Sequence, residues 1–219
     1  MILYANMLFD GDGINVDKKN SAFYYKMAAD KGHINAMINY AKILYKGDGI
    51  EENQKEAAEY FKKAADFGNS YAMNKYGIML YDGYKINKKN KKSKNKIYSN
   101  NSQDVNTGYR LYINKKEAAK YWKKSADLYN IESMLFYGKM LLLGEGIPEN
   151  KIEGYKYIKM SADFGNDIAM LIMSYVLYMS KYFIENSKNE TMTMFSMKQI
   201  SSLMIKYFAL FIDRNNIRI

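Results

Sequence analysis

Apolar side chains recur along this chain with the period of an α-helix, stop at a glycine, and begin again. In the stretch 34–69, INAMINYAKILYKGDGIEENQKEAAEYFKKAADFGN, the residues Ala36, Tyr40, Ala41 and Leu44 fall at i, i+4, i+5 and i+8. That spacing lines one face of a helix. Gly47 ends it as a residue free to turn left-handed, and Gly49 allows the tight return. Ile50 is expected to plug the turn into the core. A second helix then buries Ala57, Tyr60, Phe61, Ala64 and Ala65 and ends at Gly68. Its start is marked by Asn53 and Glu56, a capping box in which the glutamate is expected to reach back to the cap amide.

The same phrase returns in 70–130, with an interruption, and in 131–166, and an earlier copy is under way at residue 1. Gly11, Gly47, Gly83 and Gly144 are equivalent, as are Asp30, Asp66, Asp127 and Asp163. Successive members lie 36 residues apart except the pair 83 and 144, which lie 61 apart, so the third copy carries 25 extra residues. Leu8, Leu44, Leu80, Leu141 and Leu177 hold one register, so a fifth, worn copy begins near Asp167. The cap recurs too, as Asn114 with Glu117 and Asn150 with Glu153, while the first copy has Asp17 without the glutamate. Small residues at 28–29, 64–65, 125–126 and 161–162 permit close helix approach, and Tyr24, Tyr60, Tyr121 and Tyr157 supply large buried area with a hydroxyl at the rim.

A fixed period of this size means stacked units, none of which buries both its apolar faces alone. The predicted fold is all-α: a right-handed α/α superhelix of antiparallel helix pairs, with four recognisable repeats and a degenerate fifth. The repeat array spans 1–181, with a basic low-complexity insertion at about 85–113, and 182–219 reads as a C-terminal capping helix region. Met1 aligns with Met37, one residue inside a first helix. The expectation drawn from this is a native start farther upstream, with a partner covering that edge as the other reading.

Composition sharpens the picture in a few places. No cysteine is present, which removes disulfides, thiolate metal sites and one nucleophile. The single proline, Pro148, suits a chain that is nearly all helix. The start lacks the basic region of a signal peptide. The apolar stretches near 168–180 and 200–212 are too short to span a membrane, and Lys206 interrupts the second. A cytoplasmic, non-transmembrane protein is expected. The net charge of +10 is local: ten of the basic residues and one acid, Asp104, lie between Lys85 and Lys116. A charge run confined to a Lys/Asn/Ser-rich loop reads first as a solvated segment and second as an arm for nucleic acid or an anionic surface.

Candidates for chemistry are few. His33, the only histidine, sits beside Gly32 between helices and reads as an exposed connector. The Gly11-Asp12-Gly13, Gly47-Asp48-Gly49 and Gly144-Glu145-Gly146 triplets lack the Lys-Ser/Thr of a phosphate loop and the ligand run of a calcium loop, so they are turns. No catalytic residue, metal site or cofactor is predicted, and the protein reads as a non-enzyme.

The pattern A-M-x-x-Y-[AG]-x-x-L-Y-x-G-x-G-I followed by A-x-x-Y-[FWY]-x-x-[AS]-A-D-x-G-N resembles the Sel-1-like repeat, a relative of the tetratricopeptide repeat with a longer period and two glycines in its turn. The resemblance covers roughly 1–181 less the insertion. It departs at Lys85, where the second turn glycine is lost, and at Tyr129, where the closing glycine is lost, so the turns of the third repeat are open. Some bacterial members carry a disulfide in each repeat; with no cysteine, this chain does not. The resemblance implies an interaction subunit whose first helices line a concave groove. Carried over by register, the groove residues are Asn39, Lys42 and Lys46; Lys75, Ile78 and Asp82; Phe136, Lys139 and Leu143; and Ile172 and Tyr175. That stripe begins polar and basic and becomes apolar, as suits a peptide with an acidic and an apolar end. The expected function is a scaffold or adaptor for a protein or peptide partner. The alternatives are nucleic-acid or anionic-surface binding through 85–116, with nucleic acid disfavoured, and an accessory region of a larger protein, such as a kinase fusion, truncated at Met1.

Overall fold

The computed structural model describes residues 1–87, 109–173 and 175, and they fall in two compact units that divide between Leu128 and Tyr129. The first unit holds three helical hairpins: α1 (Ile2–Asp10) with α2 (Lys18–Asp30), α3 (Ile34–Lys46) with α4 (Gln54–Asp66), and α5 (Ser70–Asp82) with α6 (Lys115–Asp127). In the second, α7 (Ile131–Leu143) pairs with α8 (Lys151–Asp163), and helical turns resume across 167–173. Within the first unit the hairpins also pack in series, α2 on α3 and α4 on α5. The fold is an α-solenoid of helical repeats, as the periodicity predicts. Residues 88–108, which hold most of the insertion, and 182–219, the expected capping region, lie outside the described residues.

Each hairpin is closed by backbone before side chains enter. The cap residue's N–H donates to the carbonyl of the registered leucine: Asp17 to Leu8 at 2.8 Å, Asn53 to Leu44 at 2.9 Å, Asn114 to Leu80 at 2.8 Å and Asn150 to Leu141 at 2.8 Å. This corrects the expected capping box. With its own N–H engaged, each asparagine accepts the Glu56, Glu117 or Glu153 amide on Oδ1, and donates from Nδ2 to that glutamate's carboxylate at 3.0–3.2 Å. The first helices of later repeats are capped in turn by Asn69, Asn130 and Asn166, whereas His33 at that register is exposed and makes no cap bond.

Tyrosines set the packing within a repeat. Tyr4 and Tyr24, Tyr40 and Tyr60, Tyr76 and Tyr121, and Tyr137 and Tyr157 meet edge to face at 4.9–5.0 Å, the favoured geometry for aromatic pairs. Between repeats, the Tyr60 hydroxyl donates to Asp30 at 2.6 Å and the Tyr121 hydroxyl to Asp66 at 2.9 Å. The closing Ala-Asp of one repeat is thus the acceptor for the next repeat's second helix. Ile14, Ile50 and Ile147 are half-buried at the turns rather than plugged into the core.

The third repeat shows what its two lost glycines did. A side chain at Gly49 would place its Cβ 2.4 Å from Cβ of Lys18 in the preceding repeat, so a side chain at this register collides with the neighbour. With Lys85 there, the chain leaves the turn as a strand, β1 (Tyr84–Asn87), which pairs antiparallel with β2 (Tyr109–Tyr112), Tyr84 facing Tyr112. The ribbon is held on the second repeat by the Lys85 N–H donating to Gln54 and by the Lys85 ammonium on Glu52 at 3.1 Å. Tyr129 keeps the closing turn at φ 61°, a left-handed conformation that costs a side-chain-bearing residue about 1–2 kcal/mol.

Three outcomes are expected. Gly138→Ala should destabilise by about 1–3 kcal/mol in urea, although alanine is the better helix former, because its Cβ would meet the Gly154 carbonyl at 2.9 Å and Ile158 at 2.8 Å. His33→Asn should supply the missing cap and raise the thermal midpoint by an amount corresponding to about 1 kcal/mol. The third is a pH dependence. Burial pushes the Asp66 carboxyl up, but the hydrogen bonds from Lys62 and Tyr121 outweigh it and leave the group below its ordinary range. A carboxyl depressed in the folded state stabilises fully above its unfolded pKa and loses that contribution as pH falls through the folded value. Urea midpoints measured between pH 5 and 2.5, a window of roughly the carboxylate range, should fall less steeply in Tyr121→Phe than in the parent.

Candidate functional site

The apolar face of each first helix fixes its rotation against the neighbouring helices, and with it the side chains left outside the packing. On α3 the buried set is Ala36, Met37, Ile38, Tyr40, Ala41, Ile43 and Leu44. Lys42 and Lys46 remain exposed and Asn39 half-buried. These three sequence-predicted residues line one cavity of about 380 Å³, together with Asn6, Phe9 and Asp10 of α1, Tyr25 of α2, and Ile43 and Asp48.

The Tyr25 hydroxyl organises the cavity. It donates to Oδ1 of Asn6 at 2.5 Å, and Asn39 lines the same cavity. Burial, aided by the nearby Asp10 carboxylate, holds the Tyr25 phenol above its ordinary range. It is a neutral donor at any physiological pH. Asp48 is already engaged by the Lys18 ammonium at 2.7 Å, and that ammonium also lies 5.3 Å from the Phe9 ring centre. Farther along the first unit, the ammonium groups of Lys42 and Lys75 lie 4.8 and 5.2 Å from the centre of the Tyr71 ring. Cation–π contact therefore holds two like charges on one aromatic side chain. Ile78 is half-buried and Asp82 exposed on the same helix.

In the second unit Phe136, Lys139 and Leu143 of α7 are half-buried. Ile172 is not a groove residue: it is 6% exposed in a core with Leu135, Leu142, Ile158 and Ala169, against which the half-buried Tyr175 also packs. The correction has a physical reason, since the helical turns at 167–173 lie on α7 and α8 through their apolar side, and Ile172 is part of that side. The register-based reading missed Asn6, Asp10 and Tyr25. The first two are the first-repeat equivalents of Lys42 and Lys46 and were legible by the same 36-residue shift. Tyr25 signals itself only as a hydroxyl at the register where the second repeat has Phe61.

Among the described residues no group of histidine, cysteine and carboxylate side chains could hold a metal ion, and no helix is long and apolar enough to cross a membrane.

Repeating helical hairpins with a lined first-helix face define a helical-repeat protein of the solenoid class. The Sel1 repeat family's sequence model matches residues 1–33, 34–69, 70–93, 107–130 and 131–166, and the chain belongs to that family. Two of those segments, 70–93 and 107–130, contain α5 and α6, the two helices of the third hairpin. Among solved structures, the chain resembles a Sel1 repeat protein from Oxalobacter formigenes, with a TM-score of 0.62 at 21% identity over 79% of this chain and 62% of that one. It also resembles a protective antigen of uropathogenic Escherichia coli strains displaying an SLR fold, with a TM-score of 0.64 at 20% identity over 96% of this chain and 40% of that one. The chain thus spans about three fifths and two fifths of those proteins' lengths, and the likeness is one of fold. No curated protein matches it by sequence. Folds of this family generally mediate protein–protein interaction.

Proposed function

We propose that this protein is a scaffold or adaptor that holds a partner protein or peptide on the face formed by its first helices. The observation that carries the reading is the cavity between α1 and α3, where Asn39, Lys42 and Lys46 stand with Asn6 and Asp10 over the Tyr25 hydroxyl. Within the first unit the groove comprises Asn6, Asp10, Asn39, Lys42 and Lys46, and continues through Tyr71 to Lys75, Ile78 and Asp82. The second unit, taken by itself, offers Phe136, Lys139, Leu143 and Tyr175 as candidate contact residues. Polar and charged groups beside an aromatic floor suit a peptide ligand, whose backbone supplies donors and acceptors and whose side chains supply charge. Sel1 repeat proteins are generally non-catalytic scaffolds, and the groove chemistry needs no reaction to account for it. A location inside the cell fits this reading, as does a protein partner in preference to nucleic acid.

The test is a selection of displayed random peptides on the full chain, followed by titration of the selected peptides against a Lys42→Glu, Lys46→Glu variant. Affinity should fall roughly tenfold or more, as loss of charge complementarity at two contacts predicts. The variant's thermal midpoint should stay unchanged, because both side chains are exposed. Selected peptides that bind this variant and a Lys75→Glu variant as tightly as the parent would remove the groove from consideration.

A further inference from the structure

We infer that the α1–α3 cavity reads a bipolar stretch of its peptide partner, with an acidic side chain held by Lys42 and Lys46 and a basic side chain directed to Asp10; the inference rests on the groove reading above. It begins from how this unit disposes of its charges. Lys18 pairs with Asp48, Lys26 with Glu56, Lys62 with Asp66 and Lys85 with Glu52, at 2.6–3.3 Å. Other charges of the unit stand outside such pairs, and three of them come together at the cavity, where Asp48 is the member already engaged. Among the described residues, neither Lys42, Lys46 nor Asp10 has an ion pair, although all three line the same cavity.

Two features argue that these charges serve a ligand. Lys42 and Lys46 stand at i and i+4 on one helix face, where like charges repel each other mildly. An anion between them relieves that repulsion, and the Tyr71 ring holds Lys42 to one side without neutralising it. Asp10 is the 36-residue equivalent of Lys46, so the two adjacent repeats present opposite signs at one register across one cavity. Asp48 cannot supply the missing carboxylate, because Lys18 occupies it. A purely acidic ligand would satisfy the lysines and be repelled at Asp10; a purely basic one would do the reverse. The complement of this wall is an acidic and a basic side chain carried side by side. The volume of about 380 Å³ holds a few side chains rather than a folded element, and the lysines on Tyr71 extend the contact along the groove, so the ligand is a chain segment.

The experiment is a fluorescence-anisotropy titration of the full chain with labelled twelve-residue peptides of four compositions: alternating Glu-Lys, all Glu, all Lys, and uncharged Gly-Ser. The alternating peptide should bind most tightly and the uncharged one least. In Lys42→Ala, Lys46→Ala both glutamate-containing peptides should weaken by roughly tenfold, a loss in line with two charge-assisted contacts. Asp10→Asn should bring the all-Glu peptide level with the alternating one. Helicity and thermal midpoint, read by circular dichroism, confirm that the variants remain folded. All-Glu binding equal to alternating binding in the parent, with Asp10→Asn inert, would overturn the bipolar inference and leave the groove reading standing. Binding by the charged peptides that neither the lysine variant nor Asp10→Asn alters would overturn both. No binding by any of the four would overturn the bipolar inference alone, since the displayed-peptide selection tests the groove independently.

Discussion

The four described hairpins of this protein are each closed by one backbone hydrogen bond, from the cap N–H of the second helix to the leucine carbonyl near the end of the first. A helix end leaves its last carbonyls without intrahelical partners, and a helix start leaves its first amides in the same state. Here one bond joins a carbonyl of the first kind to the cap amide, while the turn glycine swings the chain through the left-handed region between them. The third repeat shows its strength. Leu80 and Asn114 are separated by the whole insertion, yet they meet at 2.8 Å, the distance found where the turn is short. The described ends of the insertion pair as two strands, and the helices on either side keep their register.

With the hairpin angle set by backbone, the side chains have fixed tasks. The edge-to-face tyrosine pair recurs within all four hairpins at nearly one geometry, and alanine, serine or glycine at the crossing sets how near the two helices come. Where glycine takes that place, something larger fills the space. Gly77 accommodates the Trp122 indole, which lies where a Cβ would be, and Trp122 donates to the Asn74 carbonyl at 3.3 Å. Gly138 and Gly154 instead face each other, backbone against backbone. The Tyr–Asp bonds then carry the first unit from one repeat to the next.

The sequence exposed this architecture because a register repeated four times leaves little freedom: Gly47, Asn53 and Asp66 each have counterparts that allow no other alignment. What it hid were choices among partners. Glu56 had two donors within reach, the cap amide and the cap side chain, and only the tertiary bond to Leu44 removes the first. The fate of Ile172 depended on whether the helical turns after 166 pack onto α7 and α8, which a period cannot state for a worn copy. The ribbon stands where a side chain replaces the turn glycine: at Gly49 that side chain would collide with Lys18 of the preceding repeat, and by the same shift Lys85 faces Gln54, a fact about the neighbouring repeat rather than its own. The candidate groove was legible as a stripe, but its first-repeat members and the hydroxyl beneath them emerge only when α1, α2 and α3 are seen around one cavity.

The repeat framework also explains why the polar cavity sits between the first two hairpins. At the register of Asn6 the second repeat has Lys42 and the third Ile78; at the register of Tyr25 the second has Phe61 and the third Trp122. Farther along the array the floor therefore loses its hydroxyl, and the amide gives way first to a lysine and then to an aliphatic side chain. Tyr71 then gathers Lys42 and Lys75 onto its ring. One scaffold position thus carries a hydrogen-bonding site in one hairpin and packing in the next. The backbone bond makes this substitution inexpensive, because the side chains on the open face of a first helix take no part in closing the hairpin. Recognition can vary along such an array without disturbing the fold that presents it.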